Sequence, residues 1–100
     1  MKKYYRGAKP YFEIHIRDKD SGALTAPDTA PTIQIENENG KVITAWTNMT
    51  NSATGIYYYN SLTISSSHTA GIYRARVKVT DGTDVTCDEG CETEFEVMGR

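Results

Sequence analysis

The chain has 100 residues, with 11 Lys/Arg against 13 Asp/Glu, a formal net charge of −2, 38% hydrophobic and 24% charged residues. A chain this short has room for one domain and one core, which excludes a separate substrate domain. Its composition is that of a soluble globular chain, and no apolar run approaches the roughly 18 residues of a membrane helix, so no membrane partner is expected.

Charge is spread unevenly. Residues 1–20 hold six Lys/Arg and three Asp/Glu, residues 21–80 four and three, and residues 81–100 one and seven. A nucleic-acid binder presents a positive groove or stripe. The uncompensated basic cluster here is only Lys2, Lys3, Arg6 and Lys9, so nucleic acid is not an expected partner. A secretory leader needs an apolar segment of roughly 7–15 residues after its basic start. Met1 to Pro10 instead runs straight into alternating sequence, which predicts synthesis in the cytoplasm without a signal peptide.

Residues 1–10 show no periodicity and end in Pro10, which reads as a basic aromatic arm, with residues 11–100 forming the domain. Tyr11 to Arg17 alternates, Phe12, Ile14 and Ile16 on one face and Glu13, His15 and Arg17 on the other, the period of a half-buried strand. Asp18 to Gly22 is a turn cluster, and the stretch on to Pro31 reads as a loop. Thr32–Asn37 and Lys41–Thr47 form two strands around Asn39-Gly40, a dipeptide suited to tight hairpins. Ile56–Asn60, with three successive tyrosines, suits a pleated surface, and Leu62-Thr63-Ile64 reads as another short strand. Ile72 to Thr80 places Tyr73, Ala75, Val77 and Val79 inward and Arg74, Arg76 and Lys78 outward, ending at Asp81-Gly82. Glu92 to Met98 alternates again, with Phe95 and Val97 inward. About seven short strands with no window at three-four spacing predict an all-β sandwich of two antiparallel sheets.

Ala70-Gly71-Ile72-Tyr73-Arg74-Ala75 resembles the approach to the sixth strand of immunoglobulin-like domains, where a tyrosine hydroxyl bonds back to the corner backbone. The resemblance implies that role for Tyr73. The family's second cysteine would fall at Ala75, so the inter-sheet disulfide of antibody-type domains is not expected. Pro31 to Ile35 with Asn39-Gly40, Thr54 to Tyr57, and Gly71 to Tyr73 together look like macroglobulin-type and bacterial immunoglobulin-like modules over residues 11–98. Such modules serve adhesins, enzyme accessory domains and viral capsids and tails, so the likeness bears on fold more than on function. Trp46, the only tryptophan, is expected to pack between the sheets, and Trp46 and Tyr73 are the expected structural-core residues.

Cys87 and Cys91 fit neither a Cys-x-x-Cys redox motif nor a zinc knuckle. A metal site would need two more ligands, and only the distant His15 and His68 remain. A disulfide across a tight turn and a pair of free thiols both fit. Asp18, Asp20 and Gly22 look like the opening of a calcium loop, but Thr29 stands where the closing glutamate belongs. A solvated turn is the simpler reading, with Asp28 able to complete a weak site. Ser65, Ser66, Ser67 and His68 adjoin one another without the orienting third group or the elbow that nucleophilic catalysis requires. No enzyme activity, cofactor or small-molecule ligand is expected. Arg74, Arg76 and Lys78 would face Glu92, Glu94 and Glu96 if the two strands pair, an arrangement that sets register.

Tyrosine covers area with little rotamer entropy to lose and is enriched at interfaces. Tyr57 and Tyr59 on one strand face, and Tyr4, Tyr5 and Arg6 in the arm, are therefore the candidate protein-contact residues. A lone domain starting at its own methionine, the missing leader and the arm lead to a non-catalytic immunoglobulin-like structural protein. It would bind copies of itself or a larger assembly, as a capsid-decoration, minor capsid or tail component of a virion. The alternative is an adhesion or carbohydrate-binding module of an exported cell-surface protein, with Tyr57, Tyr59 or Trp46 stacking on sugar.

Overall fold

The computed structural model describes residues 1–27, 29–79, 85–89 and 91–99, with side chains described outside 85–89. Among these residues the fold is all-β, without a helix: β1 (Lys2–Tyr4), β2 (Phe12–Asp18), β3 (Thr32–Glu36), β4 (Val42–Asn48), β5 (Thr50–Ala53), β6 (Ile56–Tyr59), β7 (Gly71–Lys78), β8 (Val85–Glu89) and β9 (Glu92–Val97). One sheet has the order β1-β9-β7-β3-β4, the other β5-β6-β2-β8. The turn expected at Asp81-Gly82 lies outside the described residues.

The alternation in the sequence is what builds the interior. Phe12, Ile14 and Ile16 from β2, Ile33 and Ile35 from β3, Tyr73 and Ala75 from β7, and Phe95 and Val97 from β9 are all buried in one cluster. Burying side chains of this size stabilises by about 1.5–3 kcal/mol each relative to exposure, so the two inner faces supply most of the driving force. Of the outward residues of β7 and β9, Arg74 lies opposite Glu94 and Arg76 opposite Glu92 as expected, while Glu96 lies opposite Ile72 and Lys78 opposite Thr32 of β3. Between these partners in sequence, the chain crosses to the other sheet, where β8 lies against β2.

Four expectations need correction. The arm is not free: Lys2–Tyr4 pairs in parallel with Phe95–Val97, Met98 N donates to Tyr4 O at 2.8 Å, and Gly7 N donates to Ile64 O at 2.7 Å. Residues 62–64 do not form a strand. Leu62 and Ile64 do point inward, but the backbone of Ile64 bonds to residues 7 and 8 instead of to a sheet. The structure has nine strands among the described residues where about seven were expected, because β1, β5 and β8 carry no clear half-buried pattern. Trp46 is 45% exposed. Thr47 pairs with Ile33, whose side chain is fully buried, so Thr47 shares the inward face and its neighbour Trp46 points to solvent.

Tyr73 ties the start of β7 to the segment before it. Its ring is buried, and its hydroxyl donates to Thr69 O at 2.7 Å. At the β5–β6 turn Gly55 has φ +74°, and a Cβ there would lie 2.7 Å from Ile16 O and 2.8 Å from Thr25 N. The same backbone atoms are in use: Ile16 N donates to Gly55 O and Thr25 N to Ile16 O. At Gly40, by contrast, φ is +82° but the space is open.

Gly55→Ala should therefore cost more than about 2 kcal/mol in urea unfolding, whereas Gly40→Ala, which meets only the backbone penalty, should cost roughly 1 kcal/mol. Tyr73→Phe should cost about 1–2 kcal/mol by the same measurement, since it leaves the Thr69 carbonyl without its donor.

Candidate functional site

The side chains singled out for contact do not gather in one place. Tyr4 is half-buried with its ring edge-on to Phe95 at 5.7 Å, while Tyr5 and Arg6 are exposed. Tyr57 is only 7% exposed and belongs to the core, so it cannot serve as a surface contact or a sugar platform. Tyr59, half-buried on the same strand, packs against that core. The parity of β6 explains this: Tyr57 pairs with the buried Ile14, and both face the other sheet. Cys91 is disulfide-bonded; the side chain of Cys87 lies outside the described residues.

Two constellations turn out to be used by the backbone. Asp18 Oδ1 accepts from Asp20 N at 2.9 Å and from Ser21 N at 2.8 Å, closing the turn on itself. These two bonds, the Ser21 one foremost, hold the Asp18 carboxyl below the usual carboxylate range. No metal-holding group of His, Cys, Asp and Glu occurs among the described residues, and Asp28 lies outside them. In the serine run, Ser65 N donates to His68 Nδ1 at 2.9 Å, and the His68 ring lies edge-on to Tyr73 at 6.4 Å. A ring nitrogen already accepting from a backbone amide is poorly placed to take a proton from Ser65 Oγ, 3.3 Å away.

The outer face of the four-stranded sheet carries a hydrogen-bonded aromatic group. Tyr11 stacks on Tyr58 with centroids 5.7 Å apart, its hydroxyl donates to Glu13 Oε1 at 2.9 Å, and His15 Nε2 lies 2.9 Å from Glu13 Oε2. The bonds from His15 and then Tyr11 lower the Glu13 carboxyl, and the bond to that carboxylate raises the Tyr11 phenol. The outer face of the five-stranded sheet carries a shallow groove of about 490 Å³ beneath the β3–β4 turn. Both of its arginines are paired, Arg76 with Glu36 at 3.1 Å and Arg74 with Glu94 at 3.4 Å, and Glu38 lines it as well. Exposed pairs of this kind contribute about 0–1 kcal/mol and fix register more than they attract ligand.

A third surface stands apart because the segment that builds it contributes no Lys, Arg, Asp or Glu. All 11 Lys/Arg and all 13 Asp/Glu fall in residues 1–41 or 74–100; from Val42 to Tyr73 there is none. In the fold this segment supplies β4, the outer strand of one sheet, and β5, the outer strand of the other. Only Met49 separates the two strands. It is buried, and its amide donates to Pro31 O at 2.9 Å, so the chain turns the corner there and lays both edges along one flank. On that flank Val42 is 43% and Trp46 45% exposed, and all of β5 is exposed. Lys78 Nζ sits 5.9 Å from the Trp46 ring centroid. Sheet edges are ordinarily blunted by charge, as β1 is by Lys2 and Lys3. Sequence reasoning passed over this flank because charge totals over residues 21–80 blur a neutral run into a near-zero sum.

No family model matches the chain, and neither a curated protein nor a solved structure matches it.

Because the carboxyls of Glu13 and Asp18 are lowered in the folded state, the stability they add is complete above the unfolded carboxylate range near pH 4 and disappears as pH falls through their lower folded values. Urea midpoints measured from pH 5 to pH 2 should fall less steeply for Glu13→Gln/Asp18→Asn than for the parent chain.

Proposed function

We propose that this chain is a non-catalytic immunoglobulin-like module that works by protein–protein contact through its uncharged flank. The immunoglobulin-like reading is supported by strand order. In such domains one sheet runs D-E-B-A and the other G-F-C, with C′ added in variable types. Here β5-β6-β2 and β9-β7-β3-β4 follow the same sequence of neighbours, and Tyr73 at the start of β7 makes the expected bond back to Thr69. The departure is β8, which stands beside β2 where strand A would lie.

What carries the contact reading is the pair of outer strands β4 and β5, consecutive in the chain and without a charged residue, with Trp46 and Val42 exposed. Unpaired strand edges are ready templates for another chain, and a half-exposed tryptophan is the residue type most enriched where interfaces concentrate their energy. The turn-bound Ser65–His68 pair and the paired arginines of the groove on β7 favour binding over chemistry. A larger assembly of the virion kind is the setting we propose. The arm, which packs on its own sheet, is not its anchor.

Exposure of Trp46 also favours the sugar-stacking alternative, but the Lys78 ammonium over its ring and the stacking of Tyr11 on Tyr58 leave neither as an open flat platform.

Photo-cross-linking amino acids placed at Val42, Trp46 and Glu94 separate the readings in cells making the full chain. Protein adducts from positions 42 and 46, but not from 94, are expected. Polysaccharide adducts at position 46, or protein adducts at position 94 alone, would overturn the proposal.

A further inference from the structure

We infer that the partner on the uncharged flank is a second copy of this chain, joined by antiparallel pairing of β4 with β4 about a two-fold axis near Ala45. The inference rests on the contact reading above and narrows it to one partner.

The charge distribution selects the partner. A strand bearing Lys, Arg, Asp or Glu would bring ions against β4 with no opposite charge from residues 42–73 to meet them, and an unpaired ion removed from water is costly. A neutral edge has no such conflict with itself. Isologous pairing puts the same patch on both sides of the axis, so a self-complementary patch is all that a dimer requires. The arginine–glutamate face and the Glu13 face of both copies then stay in water, with Lys78 beside Trp46 as the charge nearest the seam.

The length and chemistry of the strand also fit. β4 has seven residues and is longer than β1, β5 or β8, the other outer strands. With the axis at Ala45, the small, exposed Ala45 of each copy lies opposite that of the other, and Trp46 of each copy stands on the solvent face beside the seam. Among the described residues β4 pairs only with β3, and Ala45 itself is exposed. A seven-residue strand runs roughly 23 Å. Set against the 20 Å breadth of the molecule, it gives a footprint of about 460 Å² per copy, or about 920 Å² in total, just under the roughly 1,000 Å² of a stable specific interface. The expected dimer is therefore weak and concentration-dependent.

Sedimentation of the full chain from about 10 µM to 1 mM, with hydrogen exchange and fluorescence at the same concentrations, tests this. The expected results are a monomer–dimer equilibrium, amides of Val42–Asn48 that become protected as concentration rises, and a blue shift of Trp46, the only tryptophan. Ala45→Lys should weaken the dimer at least tenfold, and Ser66→Lys, an equal charge change in an exposed loop, should leave it intact. A chain that stays monomeric throughout, or a dimer whose β4 amides exchange as in the monomer, would overturn the inference. The exchange measurement uses the parent chain, so the result holds even if Ala45→Lys fails to fold. A monomeric chain that still cross-links through position 42 or 46 to a different protein would overturn self-pairing while the contact reading stands.

Discussion

Phe95 lies 5.4 Å from Phe12 across the gap between the sheets, 5.6 Å from Tyr73 on the neighbouring strand and 5.7 Å from Tyr4 on the other side, measured between ring centroids. Aromatic pairs in such tilted and edge-on arrangements add about 0.5–1.5 kcal/mol each beyond the area they bury. This group joins β1, β2, β7 and β9, so it ties the two sheets together and draws the first residues of the chain onto the sandwich-like body. Tyr73 serves twice, packing its ring into the cluster and using its hydroxyl to hold the corner at Thr69. The position of every surface described above depends on these rings, because they set how the sheets face each other.

With the interior so arranged, the surfaces are sorted by charge. The outer face of the five-stranded sheet carries alternating arginines and glutamates that bind one another across β3, β7 and β9. The outer face of the four-stranded sheet holds Glu13 between His15 and Tyr11. On both faces charged side chains pair with one another at the surface. The flank made by β4 and β5 differs, since it offers neutral side chains and an outer strand edge. In a chain that is 24% charged, neither β4 nor β5 contains a Lys, Arg, Asp or Glu, and that uneven distribution is the observation on which the proposed contact surface rests.

The strands legible in the sequence and those that were not differ for a physical reason. β2, β3, β7 and β9 all lie inside their sheets, with one face on the core and one in water, and the two-residue period of Phe12-Ile14-Ile16 or Tyr73-Ala75-Val77 records that environment directly. The strands that escaped notice, β1, β5 and β8, all lie at sheet edges. Thr50–Ala53 is exposed at every position and therefore shows no alternation to read. Among the edges, β4 was legible because Asn39-Gly40 announced its hairpin, yet the face of Trp46 was misjudged. Register shifts where β3 and β4 pair move the parity, and the pairing of Thr47 with Ile33 settles it.

Local order in the sequence was thus enough to establish an all-β chain, the inward residues of its interior strands and the facing of Arg74 and Arg76 toward the glutamates of β9, because each follows from a period of two and from opposite charges. Which tyrosine is buried, where Trp46 points, how the first residues dock and which edges share a flank were decided only by the tertiary structure. Those outcomes depend on which strand lies beside which, and neighbours distant in sequence leave no mark on the pattern of any single segment.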